Sequence, residues 1–165
     1  ARELDDLLCH LRFNEPTLGT LVITTSGEAT DVLTHDALLA SPTGHAERET
    51  SLLWKRVLSR LDLTARSLIA TVEPGSCFVG ILAELALAAD RTYMLDGIFE
   101  DDDDPLPAAT IHLTAASTGA MPMANGLTRL ASRLYGNDDV LAEAIQTVGT
   151  DLDATAAAEV GLITS

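Results

Sequence analysis

Leucines in the first segment of the chain recur with the spacing of one helix face. They fall at i, i+3, i+4 and i+7, which is the pattern of an amphipathic helix that buries one apolar stripe. The residues of this stripe are Leu4, Leu7, Leu8 and Leu11. An Asn-Glu-Pro sequence at 14–16 then predicts the end of the helix, because proline cannot continue it.

The segments that follow alternate between short apolar runs and helical patterns. Residues 18–25 have a continuous apolar centre, which predicts a strand covered on both faces. Residues 47–63 carry apolar side chains at helical spacing, which predicts a long amphipathic helix. Further on we predict strand 67–73, turn 74–77, helix 79–89, strand 93–95, an exposed acidic loop at 100–104, strand 110–114, loop 119–126, a helix through Leu127, Leu130 and Leu134, and short helices at 138–148 and 154–160. Such alternation predicts an α/β fold.

The strongest candidate site is the glycine turn that opens the predicted helix 79–89. Backbone N–H groups at a helix start lack intrahelical partners, and they can donate to a thioester oxygen that gains negative charge. Gly80 and Ile81 are the candidate donors. Glu84, about one turn further along, is the candidate general base. The alternative is a tight turn with Glu84 as a structural carboxylate, and the residues by themselves favour it.

Three other motifs are weaker candidates. Ser76 and Cys77 lack the Gly-x-Ser-x-Gly setting of an activated nucleophile, so a packed turn is the favoured interpretation. His45 and Glu49 are four residues apart, but no third ligand accompanies them; we predict a solvated helix start and no metal site. The acidic run 100–104 lacks the glycine and the closing glutamate of a calcium loop, which predicts a solvated loop.

The charge of the chain argues against two classes of partner. A formal net charge of −15 opposes binding to nucleic acid and to anionic membranes, because both need clustered Lys and Arg. No apolar run approaches the roughly 20 residues that span a bilayer, so we expect a soluble protein. The 2 cysteines lack CxxC spacing, which fits a reducing compartment and a cytoplasmic location. The acidic start without methionine indicates the interior of a longer chain.

Two motifs resemble the enoyl-CoA hydratase/isomerase (crotonase) superfamily. Residues 84–91 follow the glycine corner with Glu-Leu-Ala-Leu-Ala-Ala-Asp-Arg, and residues 119–130 resemble the family's Gly-x-x-Pro loop and its Arg-Leu helix. The resemblance implies an α/β fold of the ClpP/crotonase type, a ββα spiral that is incomplete at both ends. It also implies that Gly80 and Ile81 form part of an oxyanion hole for a coenzyme A thioester, and that Glu84 is the first catalytic glutamate.

A closer resemblance is to the benzoyl-CoA-dihydrodiol lyase family, whose members are also called 2,3-epoxybenzoyl-CoA dihydrolases. It rests on residues 1–6, 11–15, 60–68 and 74–78. These enzymes contain two crotonase-like halves. They open the ring of 2,3-epoxybenzoyl-CoA with water, to an aldehyde-bearing acyl-CoA and formate, in aerobic benzoate degradation. The resemblance implies that residues 1–165 are one crotonase-like domain fragment, most of the C-terminal half of such an enzyme.

Departures from the crotonase pattern limit what the resemblance implies. Ala115 stands where the family has its second catalytic glutamate, and alanine can neither donate nor accept a proton. Ile81 and Leu82 follow Gly80 where the family has further glycines, which obstructs close approach of a thioester. Residues 33–39 offer no clear counterpart of the second oxyanion donor. We therefore predict a mainly structural half, with the chemistry in the preceding half of the same chain.

Two alternatives stay open beside this interpretation. One is a stand-alone crotonase-like enoyl-CoA hydratase or isomerase that uses Glu84, and the other is a non-catalytic interaction domain. The primary interpretation implies an acyl-CoA substrate, the preceding half of the chain and a homo-oligomer as partners. It implies no cofactor other than the coenzyme A of the substrate. Binding of coenzyme A thioesters would separate the interaction domain from the other two.

Overall fold

Helices and strands alternate along the chain, as its apolar pattern predicts. The computed structural model describes residues 1–99 and 106–164. The α-helices within these residues are α1 (Arg2–Asn14), α2 (Ala29–Ala40), α3 (His45–Asp62), α4 (Ala83–Ala88), α5 (Arg129–Arg133), α6 (Asp138–Gln146) and α7 (Ala154–Glu159). The strands are β1 (Thr20–Ile23), β2 (Ser67–Val72), β3 (Phe78–Val79), β4 (Arg91–Met94), β5 (Ile111–His112) and β6 (Asp151–Leu152). The predicted acidic loop at 100–104 lies outside the described residues.

The described strands form two small sheets. In the first, β2 lies between β1 and β4, and both pairings are parallel. The second has the order β3-β5-β6, with β3 parallel and β6 antiparallel to β5. Parallel neighbours need a crossover connection, which α2 and α3 supply between β1 and β2, and α4 supplies before β4.

Helix α3 and strand β2 contribute much of the core. The predicted apolar face of α3 is buried, and its Val57 and Leu58 have no exposed surface. Strand β2 alternates, with Leu68, Ala70 and Val72 buried. All of these side chains belong to one apolar cluster. Each fully buried Val or Leu stabilises the fold by about 1.5–3 kcal/mol relative to its exposed state, so this cluster holds the helix against the sheet.

Strand β1 is shorter and less buried than expected. The prediction of a strand covered on both faces is wrong, because Val22 is 62% exposed. Within the described residues β1 pairs with β2 alone and forms an edge of its sheet. Its Leu21 and Ile23 are partly buried and pack against the core. One face of the strand is therefore covered, and the other is open.

The helix predicted at 79–89 begins later than expected. Its first residues belong to β3 and to a 3₁₀ turn at Gly80–Leu82, because the positive φ of Gly80, 52°, does not fit an α-helix. The sequence pattern also missed α2, whose apolar residues are poorly segregated, and the two-residue strand β6. Residues Ala116–Ala120 form a π turn at the start of the predicted loop. No described helix is long and apolar enough to cross a membrane.

Candidate functional site

A tight turn joins β2 to the glycine corner and holds Ser76 and Cys77 in structural positions. The Glu73 N–H donates to Ser76 Oγ at 3.0 Å, and the Ser76 N–H donates to the Glu73 carbonyl at 2.8 Å. The Cys77 N–H donates to Thr25 Oγ1 at 3.0 Å, and its side chain is 2% exposed. The geometry agrees with a packed turn, which the sequence favoured over a nucleophile.

The space beside the corner is filled by a carboxylate from α2. A Cβ built on Gly80 would lie 2.9 Å from Cγ of Asp36, so this side chain packs directly against the glycine. Asp36 is 6% exposed, and its Oδ2 accepts a hydrogen bond from Thr114 Oγ1 at 2.6 Å. A negative side chain here opposes the charge that an oxyanion site must stabilise. Gly80 is buried and Ile81 is 1% exposed.

Glu84 is completely buried and is held by an arginine from α5. Its Oε2 accepts a hydrogen bond from Arg129 Nη1 at 2.8 Å, and Glu84 has 0% exposure. Arg129 also binds Asp62 with two parallel hydrogen bonds, Nε to Oδ1 at 2.8 Å and Nη2 to Oδ2 at 2.7 Å. Nη1 further donates to the Met121 carbonyl at 2.9 Å. The three charged side chains form a buried cluster that joins α3, α4 and α5.

This buried cluster leaves two polar atoms without a partner. Glu84 Oε1 and Ser117 Oγ are both buried, and neither makes a hydrogen bond within the described structure. Burial raises the pKa of Glu84 to about 7, opposed in part by the nearby Ser117 hydroxyl and by Arg129, whereas Asp62 raises the pKa further. The Ser117 hydroxyl lies close enough to affect this carboxyl without meeting the geometry of a formed hydrogen bond. Near neutral pH the carboxyl of Glu84 is therefore protonated in a large fraction of the molecules.

Solved structures with the same arrangement of elements reveal the fold. An enoyl-CoA hydratase from Geobacillus kaustophilus HTA426 superposes with a TM-score of 0.63 at 20% identity, over 98% of this chain and 56% of that one. An enoyl-CoA hydratase from Bacillus anthracis gives the same score and identity, over 98% and 57%. This chain has the crotonase fold. The fold class predicted from the sequence is thus confirmed.

One relative is more similar to this chain in sequence than these solved structures are. The whole chain is 40% identical, over 166 aligned residues, to a segment of benzoyl-CoA-dihydrodiol lyase from Aromatoleum evansii. The predicted resemblance to this lyase is confirmed. The chain spans 29% of the length of that enzyme. No family model matches the chain.

Within the crotonase fold, the corner brings together only some of the predicted residues. Gly80 and Ile81 lie on the 3₁₀ turn, and Glu84 lies at the start of α4. Ala115 directly precedes the π turn and is exposed. Its methyl side chain cannot serve as a second carboxylate. The roles of Glu84 as a general base and of the glycine corner as an oxyanion hole stay predictions.

Sequence reasoning missed the carboxylates that surround the corner, and one signal could have found Asp62. Asp62 follows Leu58 by four residues, so it lies on the apolar face of α3. A charged residue on a buried helix face needs a buried partner. Arg129 was noted only through the Arg-Leu motif. Asp36 gave no such signal, because the weakly patterned α2 was not predicted.

The metal pair considered from the sequence is solvated. His45 and Glu49 are both exposed on the first turns of α3. Over residues 1–99 and 106–164, no group of three His, Cys, Asp or Glu side chains could hold a metal ion.

Replacing Glu84 by glutamine is expected to flatten the dependence of stability on pH. The folded pKa, about 7, lies above the ordinary 4.5, so between these values the folded state binds more protons than the unfolded state. The contribution of Glu84 to the free energy of unfolding is therefore fully present below pH 4.5 and falls as pH rises towards 7. The fall amounts to a few kcal/mol, at about 1.4 kcal/mol per pKa unit.

Urea denaturation between pH 4 and 8 measures this effect. Glu84→Gln should lose most of the slope, whereas Glu143→Gln, at an exposed position on α6, should keep it. An unchanged slope in Glu84→Gln would show that the pKa of Glu84 is the same in the folded and unfolded states.

Proposed function

We propose that this chain is the second crotonase-like half of an enzyme that acts as a benzoyl-CoA-dihydrodiol lyase. The whole enzyme would open the ring of 2,3-epoxybenzoyl-CoA with water, to an aldehyde-bearing acyl-CoA and formate, in benzoate catabolism. Its partners would be the acyl-CoA, the preceding half of the chain and further copies in a cytoplasmic homo-oligomer. In this proposal residues 1–165 form one domain whose contribution is mainly structural.

The observation that carries the structural assignment is the burial of Glu84 in an ion-pair cluster. A general base must come within about 3 Å of the proton that it abstracts, and Glu84 has no exposed surface. Its Oε2 is already bound by Arg129. The neighbouring corner is occupied by Asp36, which also has to move before a thioester oxygen can approach. Two separate rearrangements would therefore have to precede catalysis.

A second candidate is a stand-alone enoyl-CoA hydratase or isomerase. The pKa of about 7 for Glu84 favours it, because acid–base catalysis is most efficient when the pKa lies near the working pH. Asp36 would then be the second carboxylate in place of Ala115. The cost of exposing Glu84 weighs against this candidate.

Turnover of a simple thioester tests the two candidates. We expect this chain to give no hydration of crotonyl-CoA above the rate without protein. In the complete lyase we expect Glu84→Gln to keep kcat/KM within about threefold of the parent, which is under 1 kcal/mol of transition-state energy. The matched control is Glu143→Gln, which changes an exposed glutamate on α6.

Two results would contradict the structural assignment. One is hydration by this chain that Glu84→Gln abolishes while Glu143→Gln does not. The other is a loss of about a hundredfold or more in the lyase, the range expected for removal of a general acid–base group. An unfolding transition measured on each variant separates loss of chemistry from loss of the fold. A third outcome is that the chain neither hydrates crotonyl-CoA nor binds benzoyl-CoA, and that the lyase keeps its activity without this segment. The interaction domain is then the better description.

A further inference from the structure

Three arginines meet at the amino ends of β1 and β2, at the opposite end of the sheet from the glycine corner. Arg12 comes from the last turns of α1, Arg60 from the last turn of α3, and Arg66 directly precedes β2. They line a cavity of about 140 Å³ together with Thr64 and Cys9. We call these five residues the arginine cleft. A second cleft of about 370 Å³ shares Arg12, Thr64 and Arg66 with it.

The charge of the arginine cleft contrasts with that of the chain. Within the described residues no aspartate or glutamate lines either cavity, although the chain has 25 acidic and 10 basic residues. Asp5 forms an ion pair with Arg60 and neutralises one of the three positive charges. Arg12 and Arg66 form no ion pair with the described residues. The cleft is therefore a local positive site on a strongly negative body.

Arg66 is oriented by backbone groups. Its Nη2 donates to the carbonyls of Leu11 and Glu15 at 2.6 and 2.7 Å, and its Nε donates to the Leu18 carbonyl at 2.8 Å. These hydrogen bonds attach the end of α1 and the turn after it to Arg66, which gives this side chain a structural role. They leave Nη1 without a partner among the described residues. A guanidinium fixed in this way presents its remaining donors without further loss of side-chain freedom.

Arg12 has no comparable structural role. It is exposed and makes no hydrogen bond or ion pair with any described residue. Arg60 is held by Asp5, and its Nη1 also donates to Cys9 Sγ at 3.2 Å. The fixed Arg66 and the exposed side chain of Arg12 line the same cavity and can therefore bind one anion together. Guanidinium groups match the geometry of phosphate oxygens, with which they form paired hydrogen bonds.

The size of the cavity restricts the ligand. Sites for drug-sized molecules measure about 300–1,000 Å³, so about 140 Å³ suits one small anionic group and not a complete cofactor. The adjoining cleft has room for the remainder of a larger molecule. Apolar side chains of Leu8, Leu11, Phe13 and Leu21 line the inner cavity and lower the exposure of a bound anion to water.

We propose that the arginine cleft binds a phosphate group of a small-molecule ligand. The site is independent of the glycine corner and needs no catalysis by this chain. The phosphate can belong to a free phosphate compound or to a nucleotide, and the affinities for pyrophosphate and ADP distinguish these sources.

Titration calorimetry of the chain with pyrophosphate, and separately with ADP, tests the site. We expect binding with a Kd below about 1 mM at low salt, and weaker binding as salt rises. Arg12→Gln should weaken it about tenfold, the effect of losing one charged hydrogen-bonding group. Equal affinities mean that phosphate alone is bound, and tighter binding of ADP means that the adjoining cleft takes the nucleoside; both results support the proposal.

Arg48→Gln is the matched control. It removes the same charge from an exposed position on α3, twelve residues before Arg60 and so about 18 Å along the helix. Its binding should stay within about twofold of the parent. Bound pyrophosphate should also slow the reaction of Cys9 with a disulfide reagent, whereas buried Cys77 stays unreactive in the folded chain. Absence of binding for both probes, or equal loss in Arg12→Gln and Arg48→Gln, would overturn the proposal.

Discussion

Replacing Arg129 by leucine is expected to destabilise the fold by about 3–5 kcal/mol at pH 7. Arg129 is 1% exposed, and it is the partner that the structure gives to both Asp62 and Glu84. Leucine removes all four of its hydrogen bonds and leaves Asp62 buried without a positive charge. Loss of Arg129 also raises the pKa of Glu84 further, so this carboxyl is held in its protonated form at pH 7. The cost comes mostly from the uncompensated Asp62, since leucine fills much of the same volume. Urea denaturation at pH 7 measures the change.

The origin of this cost can be tested through pH and a second substitution. Unpaired buried carboxylates take up protons more readily, so the destabilisation by Arg129→Leu should shrink as pH is lowered towards 4. Adding Glu84→Gln should recover part of the loss, because it removes the cost of keeping the Glu84 carboxyl protonated in the folded state at pH 7. Arg56→Leu, at an exposed position on α3, should change stability by no more than about 0.5 kcal/mol. A loss below about 1 kcal/mol in Arg129→Leu would contradict the cluster.

Much of the fold was predictable, because most of the strongly periodic apolar segments agree with a local structure. The leucine stripe of α1, the amphipathic face of α3 and the apolar run of β2 all indicated the correct element. Helix α2 was missed, since its buried positions include Asp36, which interrupts the apolar stripe. The same residue explains why the filling of the corner was not predicted: a carboxylate that arrives from another element leaves no trace in the local motif.

The sequence indicated which segment forms the candidate site, but not which side chains surround it. Local sequence indicated a glycine turn at Gly80 followed by a helix that carries Glu84, and the structure has both, because adjacent residues determine them. The other two members of the Glu84 cluster, Asp62 and Arg129, lie 22 and 45 residues away in the sequence, and only tertiary packing brings the three together. Burial of this cluster is consistent with the proposed structural role of this half. The pKa of Glu84 is then a consequence of packing and is not by itself a sign of catalysis.

Substitution of Gly80 by alanine is expected to destabilise the chain by about 2–4 kcal/mol. Its φ of 52° lies in the left-handed region, which costs an alanine about 1–2 kcal/mol. The new Cβ would also lie 2.9 Å from Cγ of Asp36, and Thr114 holds this side chain through a hydrogen bond. The carboxylate cannot withdraw without breaking that bond, so steric cost adds to the backbone cost. Urea denaturation of the single variant measures the sum.

Two further measurements separate these contributions. Gly126→Ala provides the backbone cost alone, since Gly126 has a φ of 85° and nothing within 4 Å of its added Cβ. In an Asp36→Ala background the cost of Gly80→Ala should fall to about the Gly126→Ala value, because the clashing carboxylate is gone. The difference between backgrounds is the coupling energy of Asp36 with the corner. If Gly80→Ala costs the same with and without Asp36, this side chain does not close the corner, and a thioester could approach Gly80 without displacing it.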